Sequence, residues 1–130
     1  MPYRFALVEA RTLMPHEEVD EGHLRELTEE IRRDGVLRQP VVVDARSGVI
    51  LDGHHRVRAL KGLGCTLIPA YLVDYSDAGI VVWPRRAEIP VSKESVVRTG
   101  LSGRPYPPKT SRHEWPCAPV ACPVSLSSLK

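Results

Sequence analysis

Between Val49 and Ala59 the chain changes its period, and that change constrains the fold more than any other feature. Val49-Ile50-Leu51 is an apolar run of strand type, and Asp52-Gly53 breaks it. Val57, Leu60 and Leu63 then recur on one helical face until Gly64 stops them. A helix therefore starts at Gly53 or His54, at the very end of a strand. The same alternation of periods recurs along the chain. Tyr3 to Val8 has strand composition, and Leu13-Met14-Pro15 ends it in a loop through His16 and Glu17. From Asp20, Leu24, Leu27 and Ile31 mark an amphipathic helix that stops at Gly35. Val41-Val42-Val43 is β-branched throughout and pairs with Val49 to Leu51 across an Arg46-Ser47-Gly48 turn. Leu67 to Tyr75 and Ile80 to Trp83 read as further strands, and Ser92 to Ser95 as the cap of a short helix around Val96 and Val97.

This pattern predicts an α/β (α+β) chain with a small mixed sheet packed against short helices. With 130 residues, 42% of them hydrophobic, one core is the expectation. Residues 1–103 carry the alternating elements. Residues 104–130 are different, because Pro105, Pro107, Pro108, Pro116, Pro119 and Pro123 remove backbone donors and restrict their neighbours, which predicts extended coil. Tyr106, Trp115 and the unbroken Lys109-to-His113 run argue that part of it packs or binds.

A net charge of +2, from 18 basic and 16 acidic residues, does not call for a polyanionic partner, so nucleic acid is permitted and not indicated. No apolar run approaches the ~18 residues of a membrane span, and no signal core follows Met1, so a soluble cytoplasmic protein is expected. Cys65, Cys117 and Cys122 lack the number and spacing of a disulfide framework or a four-cysteine zinc site.

Chemistry concentrates at Asp52-Gly53-His54-His55-Arg56. A strand delivers a carboxylate, a glycine permits close backbone approach, and a helix opens with free N–H groups and cationic side chains, which suits a phosphate. The glycine spacing matches neither the P-loop nor the dinucleotide fingerprint. Adjacent histidines on a helix point about 100° apart, which disfavours one shared metal ion. The same residues also fit a plain helix cap with solvated side chains. Glu17 offers a carboxylate on a loop, and Lys109, Thr110, Ser111, Arg112 and His113 gather donors for an anion or zwitterion.

In the order Pro15-His16-Glu17, Gly35-Val36, Gln39-Pro40, Asp52 to Arg56, Asp74-Tyr75, Trp83 and Pro108 to His113, the sequence resembles the ParB-like free serine kinases. The resemblance implies a ParB/sulfiredoxin-type domain that phosphorylates L-serine from ADP or ATP with Mg²⁺, giving O-phospho-L-serine for cysteine and serine metabolism. It implies a catalytic Glu17 and Asp52, with Asp52 also the Mg²⁺ ligand. Nucleotide phosphates fall to Gly53, His54, His55, Arg56, Lys109 and Thr110, and serine to Trp83, Ser111 and His113, with 104–130 completing the substrate site. Ser111 stands where the family signature usually has threonine, and the long insertion of larger members is missing. The rival reading is a non-enzymatic ParB-like nucleotide-binding regulator or partition protein. That reading calls for a helix-turn-helix module where this chain has prolines. A sulfiredoxin would need a cysteine where His54 stands.

Overall fold

The computed structural model describes residues 3–130. Its central sheet has the order β1 (Arg4–Glu9), β5 (Leu67–Val73), β3 (Val41–Asp44), β4 (Ile50–Asp52). β1 is antiparallel to β5, β5 is parallel to β3, and β3 is antiparallel to β4. The parallel pair needs a long crossover, and β4 with α2 (His54–Gly62) supplies it. The fold class read from the sequence is the one observed.

The β-branched run explains why β3 sits inside the sheet. Val41 and Val43 face the helices, among Ile31, Leu60, Ile68 and Leu129, whereas Val42 faces Val49, Tyr71, Ile80 and Val96. A strand buried on both faces has no use for alternation, so its sequence is apolar throughout. On the first face α1 (Glu21–Asp34) packs on α2; Asp20 caps α1 by accepting from the His23 N–H at 3.1 Å. On the second face α3 (Lys93–Ser102) starts from a capping box between Ser92 and Ser95. It approaches the sheet so closely that a Cβ on Gly100 would stand 2.7 Å from Val49 Cγ2. No helix among the described residues is long and apolar enough to cross a membrane.

The proline-rich quarter departs from the extended coil expected of it. Ser111–Glu114 form β7, which pairs antiparallel with β6 (Val81–Pro84). Val124–Ser125 form β8, paired with β2 (Val36–Leu37), and a 3₁₀ turn follows at Leu126–Ser128. The prolines lie between these pieces, where they interrupt no ladder. Leu129 is fully buried in the helix-side core, and its carbonyl accepts from the N–H groups of Thr66 and Leu67. Tyr106 joins residues 16–18 in a short parallel bridge: its N–H donates to the His16 carbonyl at 2.8 Å, and its carbonyl accepts from the Glu18 N–H at 2.8 Å. The C-terminal quarter is thereby laid against the loop that carries Glu17.

Leu129→Ala is expected to lower the unfolding free energy by about 2–5 kcal/mol, the cost of an emptied core position. Leu101→Ala, at an exposed site on α3, is expected to stay within about 0.5 kcal/mol. Urea unfolding of both variants checks this; equal midpoints would mean that the C-terminal quarter adds nothing to the core.

Candidate functional site

A cavity of about 340 Å³ opens between the β4–α2 junction, the Glu17 loop and the start of β7, and Glu17, Asp52, Gly53, His54, His55, Arg56, Lys109 and Ser111 line it. Eight residues singled out in the sequence therefore meet on one wall. Leu27, Leu51, His23 and Arg85 complete the lining; the sequence carries no motif that marks these four.

The β4–α2 junction is shaped by packing. Gly53 has φ of 104°, and a Cβ there would stand 2.6 Å from Val41 Cγ1. Glycine is needed both for the left-handed backbone and to fit against β3. α2 has no side-chain cap, so its first-turn N–H groups, which lack helical partners, are left for the cavity. Arg56 is more engaged than a free phosphate ligand. Its Nη1 donates to the carbonyls of Gln39 and Pro40 at 2.8 and 2.9 Å, and Nη2 lies 3.5 Å from Asp52 Oδ2. Half of its fork braces the loop before β3, and Nη2 remains toward the cavity. The Asp52 side chain is 55% exposed.

Glu17 is held by backbone and hydroxyl donors. Oε1 accepts from the Lys109 N–H at 3.1 Å; Oε2 accepts from the Ser111 N–H at 2.8 Å and the Ser111 hydroxyl at 2.5 Å. Burial alone would push this carboxyl up, but hydrogen bonds from His16 and Ser111 outweigh it and bring Glu17 down to about 2. His54 Nε2 accepts from the N–H groups of His16 and Glu17 at 3.1 and 3.3 Å, so its proton sits on Nδ1. His55 Nε2 accepts from the Asp20 N–H at 3.0 Å, and the His55 ring lies 4.2 Å from that of His23. The two histidines thus fix two different stretches of one loop. Burial, reinforced by the neighbouring His16, lowers His54 to about 3.

Three other residues named from the resemblance stand apart from the cavity. Thr110 is fully buried, and its hydroxyl donates to the Pro107 carbonyl at 2.7 Å, so it shapes the loop and has no free donor for phosphate. Trp83 pairs with Arg112 across β6 and β7, so it lies on the opposite face of that ladder from Ser111 and His113, and it is exposed. His113 is beside the site. Its Nε2 is 2.8 Å from the Tyr75 hydroxyl, its ring stacks on Trp115 at 5.4 Å, and burial lowers it to about 3. His16 lies at the centre of these contacts, and in the sequence only its place in the Pro-His-Glu motif marks it.

Residues 4–83 match the ParB N-terminal domain. The chain is 40% identical over 78 residues to the ATP-dependent L-serine kinase of Staphylothermus marinus, covering 57% of this chain and 31% of that protein. It is 37% identical over 92 residues to the ATP-dependent L-serine kinase of Desulfurococcus mucosus, covering 64% and 36%. The match thus spans about a third of the length of these relatives. Among solved structures, a free serine kinase in complex with AMP superposes with a TM-score of 0.88 at 18% identity, over 99% of this chain and 94% of that one. At that identity the likeness is one of fold.

The buried histidines give the site a pH signature. His54 and His113 stay neutral down to about 3 in the folded chain, while an unfolded histidine takes its proton near 6.5. Between those values unfolding takes up about two protons, so the contribution of these two rings to stability is full above about pH 6.5 and falls as pH drops toward 3. Glu17, whose folded value is about 2, adds to the loss only below its ordinary range near 4.5. Urea unfolding at a series of pH values is expected to show a slope on the order of 2–3 kcal/mol per unit in mid-window, and about half that in His113→Asn. A flat profile from pH 6.5 to 4 would contradict the neutral, buried state of both rings.

Proposed function

This chain belongs to the ParB N-terminal domain family, and from that premise we propose that it is a kinase of free L-serine, with ADP or ATP as donor and O-phospho-L-serine as product. One observation carries the reading: Glu17 and the uncapped first turn of α2 face the same cavity. The activity named for the two relatives above supports the choice of serine as acceptor and an adenine nucleotide as donor.

In this reading the terminal phosphoryl group rests on the N–H groups at the start of α2, with Arg56 Nη2 and Lys109 beside it. The half-buried Leu27 offers the nucleotide base an apolar surface. The serine hydroxyl approaches from the Glu17 side. Its oxygen forms the new bond to phosphorus, the bond to the nucleotide's bridging oxygen breaks, and Glu17 takes the hydroxyl proton. A carboxylate as acidic as Glu17 is a weak base, but phosphoryl transfer asks mainly for placement and neutralised charge. His113, behind Ser111 on β7, lies on the serine side. The segment 104–130 completes the site through Lys109 and Ser111.

No group of three or more His, Cys, Asp or Glu side chains among the described residues is arranged to hold a metal by itself. The half-exposed Asp52 carboxylate suits the role of single protein ligand to Mg²⁺, which takes oxygen donors and keeps several waters and phosphate oxygens. Such an ion would neutralise charge on the phosphates. Asp52 then fixes where the phosphates lie relative to Glu17.

The test is to incubate the purified chain with Mg²⁺, L-serine and ADP or ATP and to measure O-phosphoserine by mass spectrometry. Product with at least one donor is expected, and none with either would overturn the assignment. Glu17→Gln is expected to lower turnover by about 10² to 10⁴ while nucleotide affinity, read by calorimetry, stays within about twofold. Near-normal turnover in that variant would move the proton acceptor elsewhere.

A further inference from the structure

His16 is fully buried, and phosphoryl transfer as described gives it no task. Its hydrogen bonds do not close if the ring is neutral and Glu17 is ionised. Nδ1 lies 2.7 Å from the Ile50 carbonyl oxygen; a carbonyl has no proton to give, so Nδ1 carries one. Nε2 lies 2.8 Å from the Ser111 hydroxyl, which lies 2.5 Å from Glu17 Oε2. A hydroxyl has one proton and cannot donate both to a bare Nε2 and to a carboxylate. Two arrangements satisfy every contact. Either Nε2–H donates to Ser111 and Ser111 donates to ionised Glu17, or protonated Glu17 donates to Ser111 and Ser111 donates to Nε2. Both hold one proton more than a neutral ring and a carboxylate would.

The backbone selects between them. The Lys109 and Ser111 N–H groups both donate to the Glu17 oxygens, and such donors favour the ionised form. A buried carboxylate needs a positive partner. Among the described residues Glu17 meets one cationic or ionisable nitrogen group within 4.0 Å, His16 Nε2 at 3.6 Å. The other titratable groups facing His16 are His54 from α2 at 4.6 Å between rings, His113 from β7 at 6.1 Å, and Tyr106 at 6.4 Å. Neither histidine can serve instead: His54 Nε2 is occupied as an acceptor of two N–H groups, and His113 Nε2 is held by the Tyr75 hydroxyl.

We infer that His16 is an imidazolium that holds Glu17 ionised and in place through the Ser111 hydroxyl, so that His16 and Ser111 are positioning residues for the proton acceptor. The inference deepens the kinase reading and rests on Glu17 being that acceptor. It reassigns Ser111, whose proton goes to Glu17 and one of whose lone pairs receives the His16 proton. The hydroxyl orients the base and does not grip the amino acid.

The test has a spectroscopic arm and a kinetic arm. In the full chain labelled with ¹⁵N-histidine, NMR near neutral pH is expected to show His16 protonated on both ring nitrogens and His54 on Nδ1 alone. Glu17→Gln is expected to remove the Nε2 proton of His16. A singly protonated His16 in the wild-type chain overturns the inference, whatever reaction the protein catalyses. Absence of serine phosphorylation beside a doubly protonated His16 would instead sink the kinase reading. In the kinetic arm, Ser111→Ala is expected to lower kcat by about tenfold to a hundredfold with the serine KM within about twofold, and Ser111→Thr to restore kcat. A raised KM with unchanged kcat would return Ser111 to substrate binding and overturn its positioning role.

Discussion

His16 is bonded on every polar side, and the bonds reach three separate parts of the chain. Nδ1–H donates to the Ile50 carbonyl of β4, Nε2 meets the Ser111 hydroxyl of β7, and the backbone N–H donates to His54 Nε2 of α2. Each partner belongs to an element anchored elsewhere by its own packing, so the ring acts as a common origin for their positions. If it shifted, the cavity would lose the alignment between the Glu17 carboxylate and the start of α2. A buried polar network of this kind is favourable only when every member is satisfied, and no buried side-chain nitrogen or oxygen among the described residues is left without a partner.

The two halves of the cavity are built by different means. The α2 side relies on backbone: Gly53 fits its turn against Val41, and α2 begins without a cap. The Glu17 side relies on contacts distant in sequence, because Lys109 and Ser111 reach back over ninety positions. Arg56 fastens the Gln39–Pro40 loop to α2. Its guanidinium is therefore partly engaged by carbonyls, whereas the N–H groups at the start of α2 have no helical partners.

What could be read from the sequence follows from the range of the interactions. α1 with its Asp20 cap and Gly35 stop, the buried Val41–Val43 strand and the strand-to-helix turn at Asp52-Gly53 are local patterns, and the structure has each of them. The proline-rich quarter was not legible in the same way. β7 and β8 are only four and two residues long and are defined by partners far away in the chain, so composition alone reads them as coil. At the site, eight residues of the motifs line one cavity. The motifs could not tell Thr110, turned inward to Pro107, from Ser111 beside it, nor show that Trp83 and His113 occupy opposite faces of one ladder. Leu27 and Leu51 line the cavity unannounced because an apolar residue on a helix or strand carries no mark of function.

The seating of Leu129 in the core and the bridge between Glu17 and Tyr106 also bear on how the chain acquires its shape. Both contacts close very long loops, and loop closure of that span is slow relative to forming a helix or a hairpin. The helix start at Gly53 belongs to a local strand–turn–helix unit and can form early. The Glu17 carboxylate receives its donors only when the C-terminal quarter docks. Along the folding route the strand–turn–helix wall of the cavity therefore precedes its Glu17 wall, and a partly folded chain holds one half of the cavity without the other.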